Sequence, residues 1–372
     1  MSAEPDREIE PAVRAIAYYL PQFHPTPEND EWWGPGFTEW VNVARARPLF
    51  PGHSQPHLPG ELGFYDLRLP ETRAAQAALA RDHGVHGFCY WHYWFGDGRT
   101  MLDRPLREVL SSGKPDFPFC VGWANHSWAG VWQGAPKRLL IEQTYPGPDD
   151  DRRHFDSLVA TFHDPRYIRV DDKPLLVVHR PEDIPDPQRF VERWQDLARE
   201  AGLAGLFLVG RSGGTWGPTR DCFDAAVVDQ TTPPWRNRLA LDPGAHRHLD
   251  WILSSMSRRA RLTPVIYSYR HWARYMPELL HDGQLSFPTV LPNWDNTPRT
   301  GRKGTVFVGA TPELFGQQVR RARELVEDRA EQHRIVFVSS WNEWAEGNYL
   351  EPDREFGRRR LEAFRDGIAA SP

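Results

Sequence analysis

Eight short apolar runs, separated by polar loops and helix-like stretches, constrain this chain more than any other feature. They lie at Arg14–Tyr19, Val85–Trp91, Pro118–Ala124, Leu175–His179, Leu206–Val209, Ala225–Val228, Thr289–Pro292 and Ile335–Ser340. Their β-branched and aromatic content, and the Gly, Pro or Asp at their ends, predict strands. Most are continuous rather than alternating, as expected of strands covered on both faces of a parallel sheet. Helical spacing predicts helices over Pro70–His83, Asp150–His163, Pro187–Ala201 and Thr311–His333. Strands alternating with helices along 372 residues predict a (β/α)8 TIM-like barrel with enlarged βα loops. A doubly wound sheet is the competitor. It would need a phosphate-binding glycine turn after the first strand, whereas the glycines of Gly210–Gly217 follow the fifth and lack the required spacing. Residues 13–372 read as one catalytic domain, residues 1–12 as a flexible tail, and Thr231–Leu285 as a long excursion between strands six and seven.

Composition excludes several functions. A formal net charge of -5 offers no basic excess for nucleic acid. The longest stretch without a polar side chain, Ala201–Gly210, is half a membrane span at most, so no membrane span is expected. The first eleven residues are acidic and polar, the reverse of a signal peptide. Of three cysteines, Cys89 and Cys120 lie in apolar runs, which favours reduced thiols and a cytoplasmic location.

Polar and aromatic clusters fall at the C-terminal ends of the expected strands, the face on which barrel active sites are built. The candidate sugar-binding groups are Tyr19 and Gln22 after strand one; Trp33, Glu39 and Trp40 in the following loop; and Tyr90, His92 and Tyr93 after strand two. Asn125 and Trp128 follow strand three, Asp229 strand six, and Asn293 and Asp295 strand seven. The last cluster holds Trp341, Asn342, Tyr349 and Glu351. The chain has 16 tryptophans, and flat rings that can stack on sugar faces with an N–H to spare suit a glycan groove. Strand eight delivers Glu343 and Glu346, three residues apart beside Trp341 and Trp344. Glycosidic bond cleavage needs one group to protonate the leaving oxygen and a second carboxylate to assist at the sugar. Burial can raise one acid's pKa while the other stays ionised. The bland alternative is a pair of acids favoured at a helix start.

Three motifs, Trp341–Pro352, Tyr18–His24 and Gly36–Trp40, resemble those of the WbsX-type proteins of bacterial polysaccharide clusters, relatives of the glycoside hydrolase family 99 endo-α-mannosidases. The resemblance runs from Val13 to about Phe364. It implies a (β/α)8 barrel acting on an oligosaccharide or glycoconjugate without metal or other cofactor. It also implies that Glu343 deprotonates the sugar 2-hydroxyl, giving a 1,2-anhydro intermediate, and that Glu346 protonates the leaving group and then activates water. Ala345 departs from the histidine usual there in the mannosidases, and the Trp32–Trp40 loop belongs to the WbsX branch alone.

The expected activity is therefore that of a retaining glycosidase or transglycosidase. The alternatives are a glycosyltransferase of polysaccharide assembly and a non-catalytic carbohydrate-binding barrel. Asp149–Asp151 satisfies the D-x-D pattern of metal-dependent sugar-nucleotide transferases, but acids are also favoured at a helix start. His24, His92 and His126 lack a metal-binding spacing and read as hydrogen-bonding groups.

Overall fold

In the computed structural model, residues 13–130, 138–212, 216–228, 263–273 and 283–369 are described. Eight strands lie where the apolar runs predict them: β1 Arg14–Tyr19, β2 Gly87–Trp94, β3 Phe119–Trp123, β4 Lys173–Val178, β5 Phe207–Ser212, β6 Ala225–Val228, β7 Ser286–Val290 and β8 Ile335–Val338. Each pairs in parallel with the next in chain order. The ring closes where β1 pairs with β8, Arg14 opposite Ile335 and Ala17 opposite Val338. This is the (β/α)8 barrel expected from the sequence, with no open edge among the eight strands.

Continuous apolar runs become strands here because both faces are buried. One face fills the barrel and the other packs under the helices. All six of Ile16–Tyr19, Val336 and Phe337 are fully buried, and each large side chain so placed contributes about 1.5–3 kcal/mol. The surrounding helices include Pro70–Asp82, Pro148–Phe162, Pro187–Glu200 and Pro312–Glu324. All four carry Pro in their first turn, where a missing N–H costs nothing. The expected helix Thr311–His333 stops at Glu324, and a separate 3-10 turn forms at Glu331–His333.

The enlarged loops lie at the C-terminal end of the barrel. The β1–α connection holds two short helices, Pro27–Trp33 and Glu39–Arg45. It is tied down where Trp40 Nε1 donates to Tyr65 O at 2.8 Å and where Phe23, Trp40 and Tyr65 pack ring against ring. Of the Thr231–Leu285 excursion, the described part includes a strand, Val265–Ser268, paired in parallel with Thr305–Val308, and a short helix, Tyr269–Ala273. Residues 1–12 and Asp229 lie outside the described residues.

Candidate active site

The two glutamates of the last motif sit on one tight hairpin. Asn342 and Glu343 pair antiparallel with Tyr349 and Asn348, and a 3-10 turn, Trp344–Glu346, joins the arms. Three constraints fix it against the barrel. The Asn342 side chain accepts from Leu20 N at 2.7 Å and donates to Leu20 O at 3.1 Å. The Glu346 carbonyl accepts from Asp295 N at 2.7 Å. Gly347 has φ +64°, and a Cβ there would lie 2.8 Å from the Asp295 nitrogen, so the turn requires glycine on both counts.

This hairpin presents Glu343 and Glu346, both about nine-tenths buried, to a cavity of about 250 Å³. Trp91 Nε1 donates to Glu343 Oε1 at 3.0 Å. Arg299, from a short helix after β7, donates through Nη1 to Glu346 at 2.5 Å and through Nε to Glu39 at 2.7 Å. Its Nη2 stands 3.9 Å from Glu343. Burial, and then the charge of Glu346 within hydrogen-bonding reach, push the Glu343 carboxyl up to about 8. Burial also raises Glu39, against the pull of Arg299. Burial alone would lower the guanidinium of Arg299; Glu39, Glu346 and Glu343 together raise it. The site thus favours a proton on Glu343 and places its cation on Glu346.

Of the residues expected at the site, Gln22, Trp33, Glu39, Tyr93, Trp128, Glu343 and Glu346 line the cavity. The other described ones do not, and strand alternation explains several. On β2, Trp91 and Tyr93 point into the barrel while Tyr90 and His92 point to the helices, since successive side chains take opposite faces. Tyr90 packs on Tyr19 and Phe119, and His92 Nε2 meets His154 Nε2 at 3.0 Å. On β1 the inward ring is Tyr18, stacked on Trp91 at 4.7 Å; the Tyr19 hydroxyl donates to Gln76 behind the sheet. Gly122, in register with Trp91, makes room for that indole, because a Cβ would meet its ring at 3.0 Å.

The remaining expected residues support the site from behind. Asn125 donates to Tyr145 and to the Arg180 carbonyl. Asp295 bonds His53, Gln55 and Thr297, and so braces the segment that carries Arg299. Glu351 lies under the hairpin, accepting from Trp344 Nε1, Tyr65 and Gln76, with its carboxyl raised by burial to about 7. Tyr349 stacks on Trp344 at 3.8 Å. Trp341 is fully buried in the core, Trp40 packs in the loop, and Asn293 is buried away from the cavity. Sequence reasoning missed Trp91, Arg299, His179, Arg180, Arg211 and Trp294 as lining groups. Alternation with Tyr93 could have found Trp91. The Thr297-Pro298 helix start two residues after Asp295 is the one local signal for Arg299.

Asp149–Asp151 heads the helix Pro148–Phe162, as a structural reading expects. Asp150 accepts from Trp94 and Arg153, and Asp151 pairs with Arg193. None of the three lines the cavity. Among the described residues, no three His, Cys, Asp or Glu side chains gather as a metal site.

Residues 15–364 match a family described as "Glycosyltransferase WbsX". The chain belongs to the WbsX family. It is 38% identical over 367 residues to "Uncharacterized protein WxcX" of Xanthomonas campestris pv. campestris strain B100, covering 96% of this chain and 50% of that protein. Its counterpart in a second strain is 39% identical over 365 residues, with the same coverages. This WbsX chain therefore spans about half the length of the curated relatives it matches. Among solved structures it resembles the GH99 endo-alpha-mannosidase from Bacteroides thetaiotaomicron, at 15% identity and TM-score 0.53, covering 95% of this chain and 96% of that one. A "Glycoside hydrolase-like protein" aligns at 14% identity and TM-score 0.59, covering 100% and 98%. At such identities the likeness is one of fold. No helix among the described residues is long and apolar enough to cross a membrane.

Proposed function

We propose that this WbsX chain is a glycan-active enzyme that cleaves or transfers across a glycosidic bond with retention, using Glu343 and Glu346. The observation that carries this reading is the unequal setting of two adjacent buried carboxyls. Glu343 is held protonated by burial at neutral pH, while Glu346 is bound to a guanidinium at 2.5 Å. That is the division of labour retaining cleavage needs. Glu343 gives its proton to the leaving oxygen as the C1–O bond breaks. Glu346, paired with Arg299, bonds to C1 as that bond breaks, giving a glycosyl ester on Glu346. In the second half Glu343 takes a proton from water, or from an acceptor hydroxyl, as the new bond to C1 forms and the bond from C1 to Glu346 breaks.

This division differs from the one the family resemblance implies, in which Glu343 acts as base on the 2-hydroxyl and Glu346 as acid. The contacts around the pair favour the assignment made here: Arg299 is bonded to Glu346, whereas Glu343 is the carboxyl that burial raises. The lining of Trp33, Trp91, Trp128 and Trp294 supports a sugar as the ligand.

The test is a panel of oligosaccharides and aryl glycosides incubated without any nucleotide sugar and read by mass spectrometry, with the product anomer followed by NMR. Turnover with retention, abolished in Glu343→Gln, is the expected result. Turnover only when a nucleotide sugar is added would instead make the chain a glycosyltransferase. Binding without turnover under either condition would make it a carbohydrate-binding barrel.

A further inference from the structure

One wall of the cavity carries chemistry that the carboxylate pair does not use. Gln22, Asn29 and Trp33, all from the first βα loop, line it. Asn29 and Trp33 stand four residues apart on the helix Pro27–Trp33, and so share one face of it. The helix is fixed at its start, where the Thr26 hydroxyl accepts from Asn29 N at 3.2 Å. The wall adjoins the reacting pair through Glu39. Its backbone N–H donates to the Gln22 carbonyl at 3.0 Å, and its carboxyl shares Arg299 with Glu346.

Asn29 is fully buried, and neither its Nδ2 nor its Oδ1 has a hydrogen-bond partner among the described residues. Comparable buried amides of this chain are matched at both ends. Asn342 accepts from Leu20 N and donates to Leu20 O. Asn125 accepts from Arg180 N and donates to the Arg180 carbonyl. Gln76 accepts from the Tyr19 hydroxyl and donates to Glu351. Asn29 is the one buried amide with both ends unmatched among the described residues. An unpaired buried donor and acceptor are costly, and a fold that keeps them calls for a functional reason.

We propose that Asn29 is the group by which this cavity reads a vicinal diol of a neutral sugar ring, one hydroxyl donating to Oδ1 and its neighbour accepting from Nδ2. The proposal rests on the glycan-active reading but not on the cleavage step. A carboxamide offers an acceptor and a donor side by side, and adjacent ring hydroxyls present the complementary pair. Trp33 supplies a flat apolar face for the C–H groups of the same ring, and Gln22 a second amide on the same wall. The burial of Asn29 sets this contact at the cavity floor, so the ring it reads is one seated inside rather than one crossing the mouth. A site built to hydrogen-bond a hydroxyl rejects the analogue that lacks it, because its own buried group is then left unpaired.

Binding is measured without turnover, so its outcome does not depend on whether the pair cleaves anything. The full chain is titrated, by ligand-observed NMR, with the methyl α-D-pyranosides of glucose, galactose and mannose, with their 3-deoxy counterparts, and with methyl N-acetyl-α-D-glucosaminide. Every vicinal diol of such a hexopyranoside includes the 3-hydroxyl, so this one deletion removes them all. At least one parent glycoside should bind, and its 3-deoxy counterpart on the order of tenfold more weakly, the loss expected when a buried amide is left unpaired. Asn29→Leu should bind the two alike. It should melt no lower than the wild type, because the amide it removes has no partner to lose. Asn29→Ala, which cannot overpack the floor, should lose the same discrimination. Loss of discrimination in both variants, with no turnover of any glycan, would keep this contact and remove the cleavage reading. Turnover by Asn29→Leu with the 3-deoxy penalty intact would do the reverse. No binding of any parent glycoside, or equal binding of the 3-deoxy counterparts by the wild type, would overturn the proposal. So would binding confined to the N-acetylglucosaminide, or marked destabilisation of both variants.

Discussion

Arg299 stands 2.5 Å from Glu346 and 3.9 Å from Glu343. That difference leaves burial, and then the charge of Glu346, to raise the Glu343 carboxyl against a weaker pull from Arg299. The Coulomb attraction falls with distance and is amplified by the low dielectric of a buried site. The same guanidinium holds Glu39 at 2.7 Å, so one cation, on the short helix after β7, gathers three carboxyls from two parts of the chain, the first βα loop and the final hairpin.

Removing that cation should therefore be costly in two ways. Arg299→Gln leaves buried carboxyls without their partner, and breaking a buried pair costs about 3–5 kcal/mol. Loss of the preorganised charge should lower kcat by roughly 10²–10³-fold. Arg299→Lys should recover stability better than activity, because an ammonium point charge cannot hold Glu39 and Glu346 in the same forked geometry. Urea melts and kcat for the two variants check this. Wild-type turnover in Arg299→Gln would remove Arg299 from the account.

The turn itself is the second target. Gly347→Ala puts a Cβ 2.8 Å from the Asp295 nitrogen at φ +64°. A non-glycine residue in that region costs of order 1–3 kcal/mol before the clash is counted. The hairpin should shift away from Asp295 and carry Glu346 with it, so activity should fall further than stability. Equilibrium unfolding beside kcat measures both.

Trp91 ties the pH profile to a named hydrogen bond. Its N–H favours the ionised form of Glu343. Since Glu343 must be protonated to act as the acid, activity should fall as pH rises through its folded pKa, near 8. Trp91→Phe removes the donor and disfavours the ionised form. The alkaline limb should therefore move to higher pH, with little change in the acid limb. A kcat profile from pH 5 to 10 tests this, and a limb moving downward would contradict the assignment.

The barrel was legible because each strand of a closed parallel sheet is buried on both faces and must be written as an unbroken apolar run. Strands β1 and β6 have the boundaries the sequence predicts. The same property hid part of the site. In Phe88–Trp94 every residue is buried and all but Cys89 are large rings, so composition cannot say which face a ring takes. Trp91 and Tyr93 turn inward, while Tyr90 and His92 turn to the helices. Glu343 and Glu346 were legible as cavity residues because they follow the last strand among aromatic and amide groups. Arg299 was not, since its role comes from contacts with Glu39 and Glu346, 260 and 47 residues away. Glu351 reads in sequence as a sugar-binding group. Only the contacts with Trp344, Tyr65 and Gln76 reveal it as a brace beneath the hairpin.

The charges around the pair and the family resemblance assign the two glutamates opposite roles, and the leaving group decides between them. If Glu343 is the proton donor, its amide cannot protonate a departing alkoxide, and a general acid contribution of roughly 10²–10⁴-fold should vanish. A nitrophenolate leaves without protonation, so Glu343→Gln should recover much of its bond-breaking rate on a nitrophenyl glycoside. Glu346→Gln should stay slow on both substrates, because its charge is needed at C1 whatever departs. Small nucleophiles such as azide should rescue the second half of the reaction in Glu343→Gln, where the missing group is the base that activates water. The roles implied by the family exchange the two rows: Glu346→Gln would recover on the good leaving group and Glu343→Gln would not. Under those roles a 2-deoxy substrate would also resist the wild-type enzyme, since the internal nucleophile is absent; under the roles assigned here it is cleaved. Rates for both variants on both leaving groups, together with the 2-deoxy analogue, separate the two mechanisms. Equal losses in every combination would show that the pair holds the hairpin in place and takes no part in chemistry.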